Sequence, residues 1–446
     1  MQRLIDTIRS LLICVPQVKI CITIIITAAC ETEKGVDNLF KQGLSDGFMD
    51  YPNYNQYIPK NYMKCFMCAF PFLWCDEKYW YQDPRNLPWN VITPFIDEYN
   101  NTRTNLLNVV YLILDESMSA WRPKTSKTGG LPHVTLEPRK PKDLGSMIRN
   151  DIECITGLFV HHDLVEGTST QRLKKYQVDA EDETKLCKSH LPQEEPILDH
   201  IAECLRQVEG AQVKEGGWTG GDAWFGSINS CVELMLQKGV FSTFIVKQNL
   251  AYFPMQELKA VLLARYGTRP AGHWVVMKAN ISGVNLFVMA YAWSNKGISY
   301  FVSSCGTTIR HEQNYVSKFE DEMGCVQTKE LARPAVAHMF YEFAPLIDEH
   351  NKARQSCLAL EECWLTKDCW LRLMTTFTGM AVVDMQRWDR HMRSNSEDAS
   401  RRGLDGDFSI IKMASLIGRP LRTGALKYRD TQQPSSRCDL DKNGRE

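Results

Sequence analysis

Residues 108–121 read NVVYLILDESMSAW. Val109, Val110, Tyr111, Leu112, Ile113 and Leu114 form one continuous apolar run that ends at Asp115. The run lacks polar alternation, and its length and β-branched content predict a strand buried on both faces. A second element of this kind, Val240 to Val246 (VFSTFIV), follows a helical pattern through Ile228, Val232, Leu234 and Leu236 that closes at Gly239. Just upstream, Gly216 to Gly221 (GGWTGG) gives a tight approach into Asp222.

Outward from this centre, the chain divides by composition. Residues 1–35 read as an apolar N-terminal extension. Residues 36–108 are rich in Asn, Tyr, Pro, Trp and Cys and read as a small helical N-terminal domain, with Pro94 to Asn101 as one helical patch. Residues 109–254 form the first part of the core. Within them, Lys124 to Arg149 is basic and turn-rich, peaking at Pro138 to Lys142 (PRKPK), ahead of a strand or helix near Ile152 to Phe159. Residues 163–197 read as a polar surface excursion. Residues 255–335 carry strand candidates at Trp274 to Met277, Val284 to Trp293 and Ile298 to Ser303, and read as an inserted β-rich antiparallel unit. Residues 336–392 return to helical pattern as the second part of the core, with Trp364 to Arg390 as one long, largely buried helix. Residues 393–446 form a polar tail expected to be disordered, apart from an apolar patch at Phe408 to Ile417.

With 446 residues, 44% hydrophobic and 24% charged, the chain can bury a core without covalent staples, which excludes a small disulfide scaffold and a disordered or collagen-like chain. Its 52 basic and 53 acidic residues leave a formal charge of −1, so any binding to nucleic acid must rest on local patches. The 16 cysteines are scattered without a repeat and fit reduced thiols in a cytosolic or nuclear protein. Cys65 and Cys68 with nearby Cys75 lack the further ligands that a structural zinc site needs. Cys357, Cys363 and Cys369 sit among Trp364, Trp370 and Leu371 and read as buried apolar packing groups. Ile20 to Cys30 (ICITIIITAAC) follows Arg3, Arg9 and Lys19 and has the flanks of a signal-peptide apolar region; it is too short to span a bilayer. A targeting segment, an extension foreign to the fold and a buried element are its three readings.

Three aspartates stand where an apolar element meets a polar segment: Asp115, Asp222 and Asp348, the last after Phe343, Leu346 and Ile347. Residues far apart in sequence converge at one sheet edge in α/β folds. Carboxylates without Cys or His partners suit Mg²⁺ or Mn²⁺, and two such ions could hold the attacking and leaving oxygens of an in-line phosphoryl transfer. For any one of them, a helix cap or turn former is the alternative.

Read together with their surroundings, these residues carry a resemblance. LILDESMSAW, with Asp115, Glu116, Trp121 and Arg122, resembles the first catalytic motif of piggyBac-type transposases. Glu137 to Gly145 (EPRKPKDLG) is similar to the family's next segment, a Lys-Pro pair followed by a basic residue and a Gly. Gly221 to Pro254 resembles the second motif throughout. Ser303, Ser304 and Cys305, then Pro334 through an aromatic-containing strand at Tyr341 to Ile347 and Asp348, resemble the third, which selects Asp348 over Asp384. Three departures stand out. Asn351 holds a position where the family often has Asp, and Leu250 one where a second basic residue is common. Beyond Arg393 only Cys438 stands where the family has a Cys/His zinc module that recognises transposon ends. The resemblance covers about residues 40–392.

The resemblance implies a ribonuclease-H-like α/β fold with a β-rich insertion between the second and third aspartates. It implies Asp115, Asp222 and Asp348 as catalytic residues holding two Mg²⁺ (or Mn²⁺) ions, with water and then a freed 3′-hydroxyl attacking DNA phosphodiesters. Arg122, Lys124, Lys127, Arg139, Lys140, Lys142 and Lys247 are the candidate contacts to double-stranded DNA, at transposon ends and target; a solvated loop face is the alternative for these charges. A nuclear location and a homodimer go with that reading, without a small-molecule cofactor or a membrane role. A domesticated or decayed element that binds DNA or protein without cutting is the second hypothesis, and an unrelated metal-dependent nuclease or phosphotransferase on the same fold the third.

Overall fold

The structure is a computed structural model that describes residues 15–31, 34–40, 54–72, 89–123, 128–167, 195–247, 250, 253–306, 308–320, 325–364, 366–394 and 410–417. Nine strands form one mixed sheet: β1 Tyr111–Ala120, β2 Thr135–Leu136, β3 Leu144–Glu153, β4 Leu158–Leu164, β5 Trp218–Gly221, β6 Phe241–Ile245, β7 Trp274–Ile281, β8 Val284–Ala292 and β9 Ile298–Ser303. Their order is β2-β3-β1-β5-β6-β9-β8-β7, with β4 also on β3. β1 is antiparallel to β3 and parallel to β5, and β5 is parallel to β6; the remaining pairs are antiparallel.

β1 is central because its apolar residues serve both faces. Ile113 packs with Ile148, Phe159, Trp218 and Phe377 in one core. Leu112 and Leu114 face the other, with Val160, Phe244 and Val302. The strand does not end at Asp115 as expected. It continues through Ser117 and Ser119 to Ala120, because β3 pairs along its whole length, from Leu112↔Glu153 to Ala120↔Gly145. β5 is shorter and leaves β1 at Leu114↔Gly221. Asp115 is therefore mid-strand on one side and just past the last pair on the other.

Three helices cover the second core. α4 (Glu195–Gly210) and α5 (Ile228–Lys238) contribute Ile201, Leu205, Val232 and Leu234, and α6 (Met255–Tyr266) adds Leu258 and Leu262. α5 starts where the Ser227 hydroxyl accepts the Ser230 amide and stops at Gly239, whose φ of 62° lies in the left-handed region that glycine enters without penalty. The first core is covered by a long helix, α9 (Cys369–Ser394), with α2 (Lys60–Ala69) and α3 (Thr93–Leu106) also contributing to it.

Several expectations are corrected. The segment 152–159 is neither one strand nor one helix but the turn between β3 and β4, and β3 begins inside the stretch read as turn-rich. Residues 255–335 open with a helix, α6 (Met255–Tyr266), and β7, β8 and β9 continue the main sheet through the β6–β9 pair; β10 (Tyr315–Glu320) and β11 (Val326–Leu331) form a separate hairpin. Between Pro334 and Ile347 there is no strand. α7 (Ala335–Phe343) buries Val336, Ala337 and Phe340, a helical spacing, and Pro334 at its N-cap forms the bridge Arg310↔Pro334. Cys363 and Cys369 are buried as expected, whereas Cys357 is exposed. The excursion at 168–194 and the tail at 395–409 and 418–446 lie outside the described residues.

The apolar N-terminal run forms α1 (Val15–Thr27), with Ile20, Cys21, Ile24 and Ile25 fully buried. The Trp364 indole donates to the Ile25 carbonyl at 2.9 Å. The expected C-terminal patch forms α10 (Ile410–Ile417), and Ile410, Met413 and Ala414 share a small core with Ile26, Leu358, Val382 and Val383. Among the described residues, no helix is long and apolar enough to cross a membrane. Trp364→Ala removes a buried ring and its hydrogen bond to α1, and should cost about 3–5 kcal/mol. Urea denaturation followed by fluorescence measures this; a loss below about 1 kcal/mol would mean that α1 is not held through Trp364.

Candidate functional site

The register that ends the β1–β5 pairing builds the site. Leu114 opposes Gly221, so the next residues of the two parallel strands, Asp115 and Asp222, stand side by side at the sheet edge where β5 gives way to a turn. Asp222 caps that turn: its carboxylate accepts the Trp224 amide at 2.8 Å and its carbonyl the Phe225 amide at 3.2 Å. The turn lies close against β6. A Cβ on Gly226 would meet the Ile245 carbonyl oxygen at 1.8 Å, so only glycine lets the chain pass there.

The third aspartate arrives from the other end of the fold. α8 (Leu346–Lys352) packs against β1 and β3 and carries Asp348 in its first turn, where the helix dipole favours a negative charge. Behind α8 the helix widens into a π-helical turn, Ala353–Leu358. There the fully buried Arg354 donates to the Met118 carbonyl at 3.0 Å and pairs with Glu361, while Gln355 donates to the same carbonyl at 3.1 Å. This clamp fixes α8 along β1. Asn351, the departure noted above, accepts from Arg354 at 3.4 Å.

The carboxylates feel one another. Burial pushes Asp115 up to about 6; Lys140 opposes this, and the charges of Asp222 and Asp348 add to it. Glu116, whose role the sequence left unread, is also buried, and burial with the charges of Asp115 and Asp222 pushes it up to about 7. Alternation turns it to the opposite face from Asp115. There it opposes Arg149 of β3, which forms an ion pair with Glu203 of α4 at 2.8 Å and lies 4.5 Å from the Trp224 ring centroid. That contact ties the Asp222 turn to β3 and α4.

Of the expected phosphate contacts, Lys140 turns inward. Its ammonium lies 3.0 Å from the Glu116 carbonyl and 3.5 Å from the Asp115 carboxylate. Arg122 pairs with Asp143, Arg139 with Glu137 and Lys142 with Glu362, all near the surface. Lys247 is exposed two residues past β6, at the same edge as Asp222. Lys124 and Lys127 lie outside the described residues. Ser303 and Ser304 are buried in the β6–β9 seam, where they bond Thr243 and Ser242, and serve the sheet.

Asp384 belongs to a different network. Fully buried on α9, it accepts from the Tyr99 hydroxyl and from the Phe159 amide at 3.1 Å, forms an ion pair with Arg103 at 3.0 Å, and lies 3.2 Å from His350 Nε2. Although burial works against it, His350 and Arg103 hold its carboxyl below the usual range. This acid is spent on joining α3, α8, α9 and β4.

As a donor set, Asp115, Asp222, Asp348 and the neutral oxygen of Asn351 fit a hard divalent cation in kind, with no thiol or imidazole among them. Burial, with the charges of Asp222 and Asp348 added, raises the Asp115 carboxyl, and a cation at this edge would favour its ionised form. Yet among the described residues no three His, Cys, Asp or Glu side chains converge closely enough to surround one ion.

No protein-family model and no curated protein matches the sequence. Among solved structures, the fold is similar to a piggyBac transposase seen by cryo-electron microscopy in a synaptic complex with hairpin DNA. The match has 14% identity and a TM-score of 0.59, and spans 95% of this chain and 74% of that one. The two chains share a fold: a mixed α/β architecture with one large mixed sheet and flanking helices.

The raised carboxyls have a consequence for stability. The folded state holds these protons more tightly than the unfolded chain, so their contribution to stability is full below about pH 4 and is lost as pH rises through about 6 for Asp115 and about 7 for Glu116. In the metal-free protein, Asp115→Asn or Glu116→Gln should each flatten that fall by on the order of 2 kcal/mol. Denaturation curves at pH 4, 6 and 8 provide the check, and an unchanged slope in both variants refutes the assignment.

Proposed function

We propose that this chain is a piggyBac-like DNA transposase or a transposon-derived protein, and that Asp115, Asp222 and Asp348 carry metal-dependent cleavage and transfer of DNA strands. The observation behind this reading is the juxtaposition of Asp115 and Asp222 beyond the last β1–β5 pair, with the charge of Asp348 acting on Asp115 from α8. The run β4-β3-β1-β5-β6, antiparallel and then parallel, supports a ribonuclease-H-like core. Residues 255–335 would be the segment inserted between the second and third aspartates, with β7, β8 and β9 extending the core sheet.

In this reading the three aspartates would hold Mg²⁺ or Mn²⁺, two ions per site, which supply charge neutralisation at the phosphate and a nucleophile at neutral pH. The protein's share is position. Asp222 is fixed by its turn and Asp115 by the sheet, while Arg354 and Gln355 hold α8, and thus Asp348, against β1. Arg122, Arg139, Lys142 and Lys247 would meet DNA phosphates, exchanging their present carboxylate partners for the backbone where they have one. The DNA substrate calls for a nuclear location, and two DNA ends call for two copies of the chain.

A second reading, a domesticated element that binds without cutting, has its own support. Asn351 is neutral and engaged by Arg354, and Lys140 already occupies Asp115. A magnesium-dependent nicking assay on supercoiled DNA, with a gel-shift assay alongside, decides between the two. The transposase reading expects nicking by the intact chain, a loss of at least about a hundredfold in Asp222→Ala, and DNA retention unchanged or improved. DNA retention without nicking, in Mg²⁺ or Mn²⁺, leaves the binding module. Hydrolysis of simple phosphate esters without action on DNA would mark an unrelated phosphotransferase.

A further inference from the structure

Lys140 is delivered to the carboxylates by a turn built to hold it. The Lys140 amide donates to the Glu137 carbonyl at 3.0 Å, and the Glu137 amide to the Asp143 carbonyl at 2.7 Å, closing residues 137–143 into a tight loop. Pro138 and Pro141 fix φ on either side of the Arg139-Lys140 pair. The two neighbours then part. The Arg139 side chain is 80% exposed, whereas that of Lys140 is 22% exposed and reaches past the edge of β3 to Asp115 on β1. Its ammonium is anchored by the Glu116 carbonyl, an acceptor that a mobile surface lysine would not need. The charges of Asp115, Asp348 and Glu116 all act on it. Among the described residues, it is the cation hydrogen-bonded to Asp115.

Granting the metal-dependent reading above, we propose that Lys140 is the resident counter-ion of the site: its ammonium balances Asp115 and Asp348 while no divalent cation is held, and competes with that cation for Asp115. This accounts for two observations together. Three like charges are gathered at one edge, and among the described residues their oxygens do not converge closely enough to surround one ion. A monovalent, tethered ammonium satisfies Asp115 by a hydrogen bond, whereas a divalent ion would draw all three inward. Lys140 thereby acts as a positioning residue that sets how readily the site accepts its ion.

The test is Mn²⁺ binding to the full-length, DNA-free protein, read by calorimetry and by the electron paramagnetic resonance signal of free Mn²⁺. Lys140→Met should bind Mn²⁺ about tenfold more tightly than wild type, because a competing charge beside the ligands is gone. Lys140→Arg, which keeps the charge, should stay within about twofold of wild type. A purely structural lysine would give no such split between Met and Arg. Lys140→Gln serves as a second neutral variant, with a melting curve confirming that each is folded. Unchanged or weaker binding by both neutral variants overturns the counter-ion role; if Asp222→Asn still weakens binding, the metal-dependent reading stands. Absence of Mn²⁺ binding in every protein overturns both.

Discussion

Everything at the candidate site depends on one register, the parallel pairing of β1 with β5 that stops at Leu114↔Gly221. Parallel strands have evenly spaced bonds and no hairpin to tie their ends, so register comes from what the flanking faces bury. Here Leu112 and Leu114 face one core and Ile113 the other, which leaves no freedom to slip: a shift of one residue would turn both leucines out of their core and Asp115 into the sheet. The glycines of β5 complete the arrangement. A Cβ on Gly220 would meet the Trp218 ring at 2.5 Å, and one on Gly221 would meet the Phe225 ring at 3.1 Å. The register is a packing result, and the chemistry is placed by it.

Two buried charge systems flank that register. On the Glu116 face, Arg149, Glu203, Asp163 and Arg206 join β3 and β4 to α4. On the Asp384 side, Tyr99, Arg103 and His350 join α3, α8 and α9. Replacing both members of such a pair with apolar residues is often tolerated, but removing one leaves a buried charge without its partner. These systems act as cross-braces, holding the helices that carry Asp348 and the strands that carry Asp115 at a constant separation. They also explain why Asp384 is unsuited to chemistry: its oxygens are already engaged on every side.

Much of the core was legible in the sequence because the signals were local. The apolar run into Asp115, the glycine approach to Asp222 and the helix from Ser227 to Gly239 each follow from residues within a few positions. What escaped depended on distant partners. β1 continues past Asp115 because β3 is long, a property of residues 144–153 and not of residues 115–120. Glu116 stood in the sequence only as part of the motif around Asp115, and its burial opposite Arg149 depends on β3. Lys140 looked like part of a basic surface run, and its inward turn is set by the loop closed between Glu137 and Asp143. Residues 335–343 contain β-forming aromatics but bury a helical face against Phe301. The three strands of 274–303 were visible as strands, but not their allegiance, since antiparallel pairing with β6 is decided by the Ser-Thr seam of Ser242, Thr243, Ser303 and Ser304.

The small core shared by α1 and α10 couples the two outermost described helices of the chain. Each covers aliphatic side chains of the other, and α1 in turn shields Trp364 at the foot of α9. Shortening the protein at one end therefore uncovers greasy surface contributed by the opposite end, and the two losses are felt as one. An expression boundary drawn inside either helix would yield sticky material prone to self-association, however intact the edge that carries Asp115 and Asp222 remained.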